Sequence, residues 1–123
     1  MTVIGQSPGR GRGIFATRDI APGEVIETCP VIALSPKDRL RIERTELFNY
    51  FFSWPETKEA AAICLGNGSL YNHSYDPNAR YDKAFDGLAI RFVAIRPIEA
   101  GEEITVNYNG SPHDQTRVWF DAV

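Results

Sequence analysis

The residues with the clearest chemical potential lie in one short stretch, YNHSYDPNARY, at residues 71–81. This stretch holds Asn72, His73 and Asp76 close together and shows no hydrophobic period. An asparagine side chain offers donors and an acceptor, which suits an ammonium or a carboxylate group. His73 with Asp76 would suit a hydrolase, but no convincing nucleophile or elbow motif accompanies the pair. The stretch predicts a polar loop that binds a ligand, and its Asp-Pro-Asn sequence favours a sharp turn.

A second candidate is the glycine-rich sequence GRGRG at residues 9–13. Glycines carry little bulk, so the backbone amides and carbonyls of such a loop can come close to a ligand. The alternative is an ordinary hairpin with solvent-facing arginines. The loop by itself leaves both interpretations open.

Other polar and reactive residues favour structural roles. His113 and Asp114 form an isolated pair, more often solvated than metal-binding. Cys29 and Cys64 lack C-x-x-C spacing, so we expect both to be buried small hydrophobes in a reducing, intracellular setting. The aromatic-rich sequence FNYFFSW at 48–54 is expected to belong to the core.

Size and charge exclude several classes of protein. The chain of 123 residues fits a single domain. Its formal net charge of −3 argues against non-specific nucleic-acid binding and mildly favours a basic partner. No apolar run is long enough to cross a bilayer, and the first residues have no signal-peptide core. We therefore expect a protein that contacts neither nucleic acid nor membrane directly.

The elements that must position these residues are mostly short strands. Apolar runs at Gly13–Ala16 and Val25–Leu34 flank an Ala-Pro-Gly-Glu turn, whose Pro-Gly pair suits a type II turn. Ser35 and Pro36 suit the start of a short helix. The segment 56–66 fits either a short helix or a strand from Ala60 to Leu65. The sum is a mainly β domain with at most two small helices.

Three segments, in order, resemble the SET domain of protein lysine methyltransferases: GRGRGIFATRDIAPGEVI, NHSYDPNA and IRPIEAGEEITVNYN. They span roughly residues 9–109, and their sequences are most similar to those of minimal viral or microbial SET proteins. The resemblance implies one SET domain over residues 1–123, with a closing segment at 110–123. It also implies several small curved β-sheets, short helices and a knot-like C-terminal threading.

The implied activity is methyl transfer from S-adenosylmethionine to a lysine side chain. The resemblance places the glycine-rich loop against the methionine part of the cofactor and Asn72 beside it. It gives His73 a backbone contact with adenine and a packed ring, rather than the role of a base. Trp119 could offer adenine a flat apolar face, or could simply dock on the sheet. The implied cofactor-binding residues are Arg10, Gly11, Arg12, Asn72, His73 and Trp119.

Tyr108 occupies the place of the family's essential tyrosine, where its hydroxyl would align the lysine amine. Val106 stands where many relatives carry an aromatic residue that limits product methylation. Tyr81 falls where some relatives supply an aromatic from another direction, and its hydroxyl would favour mono- or dimethylation. The alternative for Tyr81 is an edge-strand aromatic. The implied catalytic residues are thus Tyr108 and Tyr81, and the implied channel comprises Val106, Tyr108 and Tyr81, with walls that could include aromatic residues of 48–54.

The chain departs from the family's zinc-binding pattern. Tyr75 stands where a cysteine is common, and the sequence after the core lacks three expected cysteines, so no metal is predicted. A histone tail is the favoured protein partner. The expected location is intracellular: cytoplasmic, or nuclear and chromatin-associated if the substrate is a histone. The resemblance also allows a homodimer. A non-catalytic SET-like module that binds proteins is the alternative function.

Overall fold

The computed structural model of the chain describes residues 1–54 and 59–118. Strands predominate among these residues, which confirms the predicted mainly β class. A helix, α1, spans Pro36–Ile42, and 3-10 turns span Glu46–Asn49 and Gly68–Leu70. The strands are β1 (Thr2–Ser7), β2 (Gly11–Ala16), β3 (Val25–Leu34), β4 (Phe52–Trp54), β5 (Ala60–Cys64), β6 (Asn72–His73), β7 (Ala79–Ala84), β8 (Ala89–Ala94) and β9 (Glu103–Val106).

The described residues fall into two compact units. The first contains Met1–Glu27, Leu70–Asp82 and the described residues from Arg91 onward; the second contains the described residues of Thr28–Ser69 and Lys83–Ile90. A four-stranded sheet in the order β1-β2-β9-β6 lies in the first unit. A second sheet has the order β4-β5-β3-β8-β7, and its strands β3, β7 and β8 contribute residues to both units.

The first sheet is built around β9. β1 and β2 form an antiparallel hairpin with Ser7 opposite Gly11, and β2 continues antiparallel to β9 with Ile14 opposite Ile104. β6 runs parallel to β9 on its other side. The side chains of Ile14 and Ile104 are fully buried. The glycine-rich loop and β6 therefore flank the same central strand.

The predicted turn chemistry is present in the first unit. Gly23 has a φ of +84°, and the Glu24 amide donates to the Ala21 carbonyl over 3.1 Å, as a type II turn requires. Gly101 (φ +90°) makes the same turn in the segment PIEAGEEI. The hydrophobic core of this unit is formed by Ile14, Ala16, Ile20, Ile26, Tyr71, Ala79, Phe92, Val93, Ala94, Ile98, Ile104, Val106 and Val118.

In the second unit, the ambiguous alanine-rich run is a strand. Ala61 in β5 pairs with Leu34 of β3 on one side and with Ser53 of β4 on the other. Every residue of β5 except Ile63 is buried, which is typical of a central strand covered on both faces. Cys29 and Cys64 are buried and form no disulfide, as predicted.

Helix α1 begins where the sequence predicted. Ser35 caps it by accepting a hydrogen bond from the Asp38 amide (3.1 Å), and Pro36 opens the first turn. Arg39 donates to the carbonyl of Ala60 (2.9 Å), which ties the helix to β5.

Candidate active site

The parallel pairing of β6 with β9 brings the middle of the sequence beside its end. Asn72 lies opposite Thr105, and His73 lies opposite Val106. The Ser74 amide extends the ladder by donating to the Val106 carbonyl over 2.9 Å. The asparagine–histidine pair and the strand that leads to Tyr108 are thus neighbours in the first unit.

The side-chain amide of Asn72 has a defined orientation. Its Nδ2 donates to the carbonyl of Arg12 (2.9 Å) and to Oε2 of Glu103 (2.8 Å). Both partners can only accept, so the nitrogen must face them and the amide cannot be reversed. The amide oxygen Oδ1 takes no part in these two bonds and can accept a hydrogen bond from another group. This arrangement suits an ammonium group better than a carboxylate.

Glu103 holds this corner of the sheet together. Its carboxylate accepts hydrogen bonds from Ser7 Oγ (2.7 Å) and Arg10 Nη2 (2.9 Å), in addition to the one from Asn72. Arg10 Nη1 also donates to the His73 carbonyl over 3.3 Å. Bonds that involve an ionised partner are stronger than neutral ones, particularly where solvent is partly excluded. The Glu103 side chain is only 12% exposed, so its bonds with Arg10 and Asn72 fix both side chains.

The glycine-rich loop is a hairpin turn, with its two arginines in different surroundings. Gly11 adopts a φ of +72°, a left-handed conformation that glycine takes without strain. Arg10 is engaged by Glu103, whereas Arg12 is exposed. Of the three loop residues predicted to contact the cofactor, Arg12 is therefore the better placed to meet an anionic group, and Arg10 is committed to organising the loop.

His73 is buried, and its ring accepts a hydrogen bond. The Tyr108 amide donates to His73 Nδ1 over 3.0 Å, so the proton of the neutral ring is on Nε2. Burial, and then the positive charge of Arg10, lower the pKa of His73 below its usual 6.5. The ring also packs edge-on against Tyr75, with the centroids 4.4 Å apart. This environment favours a packed, neutral imidazole over a catalytic base.

The hydroxyl of Tyr108 is oriented by the backbone. It donates to the carbonyl of Tyr71 over 2.6 Å. Because its proton is used in this bond, the phenolic oxygen meets any further group as an acceptor. Tyr71 is itself fixed: its ring stacks on Phe92 at 4.3 Å, and its hydroxyl donates to Glu27 over 2.5 Å. An acceptor held this firmly suits the N–H of an amine.

Tyr81 and Val106 also lie in the first unit. The hydroxyl of Tyr81 is 3.4 Å from the carbonyl of Tyr108, a long hydrogen bond. Burial raises the pKa of Tyr81 to about 12, so its hydroxyl stays protonated at neutral pH. Val106 is 1% exposed, and its side chain belongs to the core of this unit. The structure therefore brings Tyr81 to the backbone of Tyr108, while Val106 is placed beside His73 by strand register.

The remaining predicted residues lie elsewhere. Trp119 is outside the described residues. The aromatic sequence 48–54 belongs to the second unit, so its role as a channel wall stays a prediction. His113 is exposed, and in residues 1–54 and 59–118 no group of three or more His, Cys, Asp or Glu side chains is arranged to hold a metal ion. Nor does any described helix have the length and hydrophobicity of a membrane span.

A cavity of about 290 Å³ lies beside Tyr75. Its lining includes Asp76, Arg96, His113 and Gln115, but none of the described residues predicted to bind the cofactor. An ion pair between Arg96 and Asp76 (3.1 Å) closes part of its wall. We therefore do not assign this cavity to the cofactor.

Comparison with known proteins identifies the family. Residues 11–109 match the SET domain, which is most of the chain. The chain belongs to the SET-domain family. This SET domain is 31% identical, over 113 residues, to a histone-lysine N-methyltransferase of Schizosaccharomyces pombe specific for H3 lysine-37; the match covers 91% of this chain and 71% of that protein. Seven further relatives are longer proteins, of which this chain spans 3% to 14%.

Solved structures share the SET fold. A candidate histone methyltransferase of Plasmodium falciparum superposes with a TM-score of 0.73 at 28% identity, covering 90% of this chain and 99% of that one. A Polycomb Repressive Complex 2 structure bound to S-adenosylmethionine superposes with a TM-score of 0.70 at 29% identity, covering 87% of this chain and 15% of that one. The predicted SET fold is confirmed, as is the predicted class of enzyme, an S-adenosylmethionine-dependent protein-lysine methyltransferase.

The residues present in this SET domain fit S-adenosylmethionine, the methyl donor of the family. The oriented Asn72 amide offers an acceptor, which suits the cofactor's ammonium group. Arg12 offers a positive charge for its carboxylate. Arg10 Nε is buried and has no hydrogen-bond partner among the described residues, so this loop also retains an unused donor. The loop thus offers a hydrogen-bond acceptor for the ammonium end of an amino acid and a positive charge for its carboxylate end.

Three further residues hold the SET-domain site together, and the sequence pattern pointed to neither Glu103 nor Tyr71. Glu103 and Tyr71 fix candidate site residues, and Asn78 fixes the central strand by accepting from the Thr105 amide (2.9 Å) and donating to the Glu103 carbonyl (2.8 Å). Asn78 was expected to serve structure, and it does. The pairing of the half-buried Glu103 with Arg10 joins residues 93 positions apart, so no local signal in the sequence could reveal it.

Proposed function

We propose that this SET domain transfers methyl groups from S-adenosylmethionine to a lysine of a histone, with Tyr108 at the reacting centre. The observation that carries the proposal is the hydrogen-bonded series formed by His73, Tyr108 and Tyr71. The Tyr108 amide is held by His73 Nδ1 at 3.0 Å and its hydroxyl by the Tyr71 carbonyl at 2.6 Å. A tyrosine fixed at both its backbone and its hydroxyl is pre-organised to position an amine.

The cofactor would supply an electrophilic methyl group attached to a positively charged sulfur. Asn72 Oδ1 would accept a hydrogen bond from the cofactor's ammonium group, while the charge of Arg12 would neutralise the cofactor's carboxylate. The backbone at His73 and the ring of Trp119 remain the predicted contacts of its adenine. Gly11 would leave the loop open on the cofactor side, because a Cβ there would meet nothing within 4 Å. Arg10 would act through Glu103, by keeping Asn72 in place.

The substrate lysine must lose its proton before it can attack the methyl group. Its ammonium has an unperturbed pKa near 10.4, which a narrow apolar channel and a nearby sulfonium would lower. The Tyr108 oxygen, whose proton is directed at Tyr71, would accept from the neutral amine and align it. Tyr81 would add a protonated hydroxyl next to this centre, and Val106 a small apolar wall. The proton of the ammonium would pass to solvent water before the transfer, so no separate base is required.

A histone is the favoured partner. Relatives named as H3 lysine-36 and lysine-37 enzymes support this choice, and a net charge of −3 suits a basic tail. A histone substrate would place the protein in the nucleus or on chromatin. The domain would reach nucleic acid only through that substrate. Homodimer formation is a separate part of the proposal, and measurement of the mass in solution tests it.

The deciding experiment incubates the protein with labelled S-adenosylmethionine and a panel of histones and lysine peptides. Tyr108→Phe keeps the ring and removes the hydroxyl, so kcat should fall about 100-fold, the loss expected when a reacting group is held about 1 Å out of place. Binding of S-adenosylhomocysteine, followed by calorimetry, should not change. Equal transfer by the wild type and Tyr108→Phe would remove Tyr108 from the reacting centre.

The alternative, a protein-binding SET-like module that transfers nothing, gives a different result. Wild-type protein would then bind a histone peptide, yet S-adenosylmethionine would neither raise its melting temperature nor label any substrate. Thermal stabilisation by the cofactor is therefore the first measurement to make.

A further inference from the structure

The C-terminal segment, residues 110–118, depends on side chains outside the segment for its conformation. None of these residues lies in a helix or strand. Asn107 Nδ2 donates to the Asp114 carbonyl, and Asn109 Nδ2 donates to the Thr116 carbonyl, both over 2.6 Å. Val118, at the end of the segment, is nevertheless 6% exposed, so its side chain is packed in the core of the first unit.

Tyr75 makes two hydrogen bonds to this segment. The amide of Val118 donates to the Tyr75 hydroxyl over 3.0 Å, and Gln115 Nε2 donates to the Tyr75 carbonyl over 3.0 Å. These bonds join positions 43 and 40 residues apart. One residue thus holds the segment by its side chain and by its backbone, at two points three residues apart.

The same tyrosine contacts the candidate cofactor site. Its ring packs edge-on against the buried ring of His73, with an interplanar angle of 88°. His73 Nδ1 in turn accepts a hydrogen bond from the Tyr108 amide. A displacement of the Tyr75 ring would therefore change its contact with His73. A displacement of the Tyr75 hydroxyl would change its hydrogen bond with the Val118 amide.

We propose that Tyr75 is a positioning residue that clamps the C-terminal segment to the candidate cofactor site at His73, and that affinity for the cofactor depends on this clamp. This inference rests on the proposed function. The ring that carries the Tyr75 hydroxyl packs against His73, whose backbone is a predicted adenine contact, so Tyr75 joins the segment to that contact. Tyr75 touches no reacting atom. Its contribution is to cofactor affinity and not to the rate of transfer.

Tyr75→Phe tests the clamp because it keeps the ring against His73 and removes the acceptor of the Val118 amide. Amide hydrogen exchange at Val118, measured without cofactor, should become up to about tenfold faster, the change expected when one hydrogen bond is lost. The dissociation constant for S-adenosylhomocysteine should rise about tenfold, while kcat at saturating cofactor stays within about twofold of wild type. Gln115→Ala, at an exposed side chain, should reproduce the effect more weakly.

Ser35→Ala is the matched control. It also deletes a hydroxyl that accepts from a backbone amide, that of Asp38 at the start of α1, and so carries a similar cost in stability. We expect it to leave Val118 exchange and ligand affinity unchanged.

Two results would overturn the clamp. Unchanged Val118 exchange in Tyr75→Phe would mean that the hydroxyl does not hold the segment. Faster exchange with unchanged ligand affinity would mean that the segment does not retain the cofactor. Failure of the wild type to bind S-adenosylhomocysteine would instead refute the proposed function, while the exchange measurement would still decide whether Tyr75 holds the segment.

Discussion

Replacing Gly13 with alanine perturbs the candidate site at its most crowded point. Gly13 lies in β2, and a Cβ atom added there would be 2.4 Å from Glu103 Oε2 and 2.8 Å from Asn72 Nδ2. The φ of Gly13 is not in the left-handed region, so alanine fits the backbone. The change is therefore purely steric, and it acts on the two side chains that orient the predicted cofactor contact.

The size of the displacement follows from these distances. Ordinary van der Waals contact begins at 3.4 Å, so Oε2 must move by about 1.0 Å and Nδ2 by about 0.6 Å. Both atoms end flexible side chains, so the backbone can stay in place while the 2.8 Å bond between Asn72 and Glu103 is broken. We expect the free energy of unfolding to fall by about 2 kcal/mol, within the usual range for overpacking.

The effect on cofactor binding should be similar in size to the effect on the fold. A hydrogen bond to a charged group contributes about 1.5–3 kcal/mol. Misdirecting Asn72 Oδ1 should therefore weaken S-adenosylhomocysteine binding at least about tenfold. The assay is calorimetric titration of the wild type and Gly13→Ala, with urea unfolding of each as the measure of stability.

Gly87→Ala is the matched control, since its added Cβ would meet only Ala84, at 3.8 Å and 4.0 Å. It should bind ligand as the wild type does. Wild-type affinity in Gly13→Ala, together with the expected loss of stability, would show that Asn72 does not contact the cofactor. The assignment of the glycine-rich loop would then be wrong.

Two further predictions concern Tyr81 and His73. Tyr81→Phe removes the hydroxyl near the Tyr108 carbonyl, so mass spectra should show product shifted towards higher methylation states; an unchanged distribution would leave Tyr81 a structural aromatic. The pKa of His73 is lowered by burial and then by Arg10, so the stability from its neutral ring is present above the unfolded pKa of about 6.5 and is lost as pH falls through the lower folded pKa. Melting temperatures between pH 8 and pH 5 should therefore fall less steeply in His73→Gln than in the wild type, whereas His113→Gln should keep the wild-type profile.

Local chemistry explains which features could be predicted from the sequence. The Pro22-Gly23 turn, the Ser35 cap and the strand runs depend on residues that are neighbours in the chain, and each formed as expected. The segment near Ala60 stayed ambiguous because a short apolar run fits a buried strand or a buried helix. In the structure this segment pairs with β3 on one side and with β4 on the other, so it is a strand. Such pairing depends on contacts between separate segments of the chain and not on the local sequence.

The candidate site could be predicted only in part. The motif around Asn72, His73 and Tyr108 carried the resemblance, and the parallel pairing of β6 with β9 places these residues together. Pairing of this kind joins segments more than thirty residues apart and has no local sequence signal. Tyr75 shows the same limit: the sequence marks it only as a departure from a cysteine, whereas its two hydrogen bonds to the C-terminal segment depend on the fold.

The bond between Glu103 and Arg10 has a consequence for how the proposed site would recognise its cofactor. Because Glu103 compensates the charge of Arg10, the loop does not present two unpaired arginines to the cofactor. The remaining charge is that of the exposed Arg12, while Asn72, held by the same carboxylate, presents an uncharged acceptor. One glutamate therefore sets both the charge and the orientation of the groups that would meet the two ends of the methionine moiety. The Asn72 amide is ordered before any ligand arrives, which would lower the entropic cost of binding.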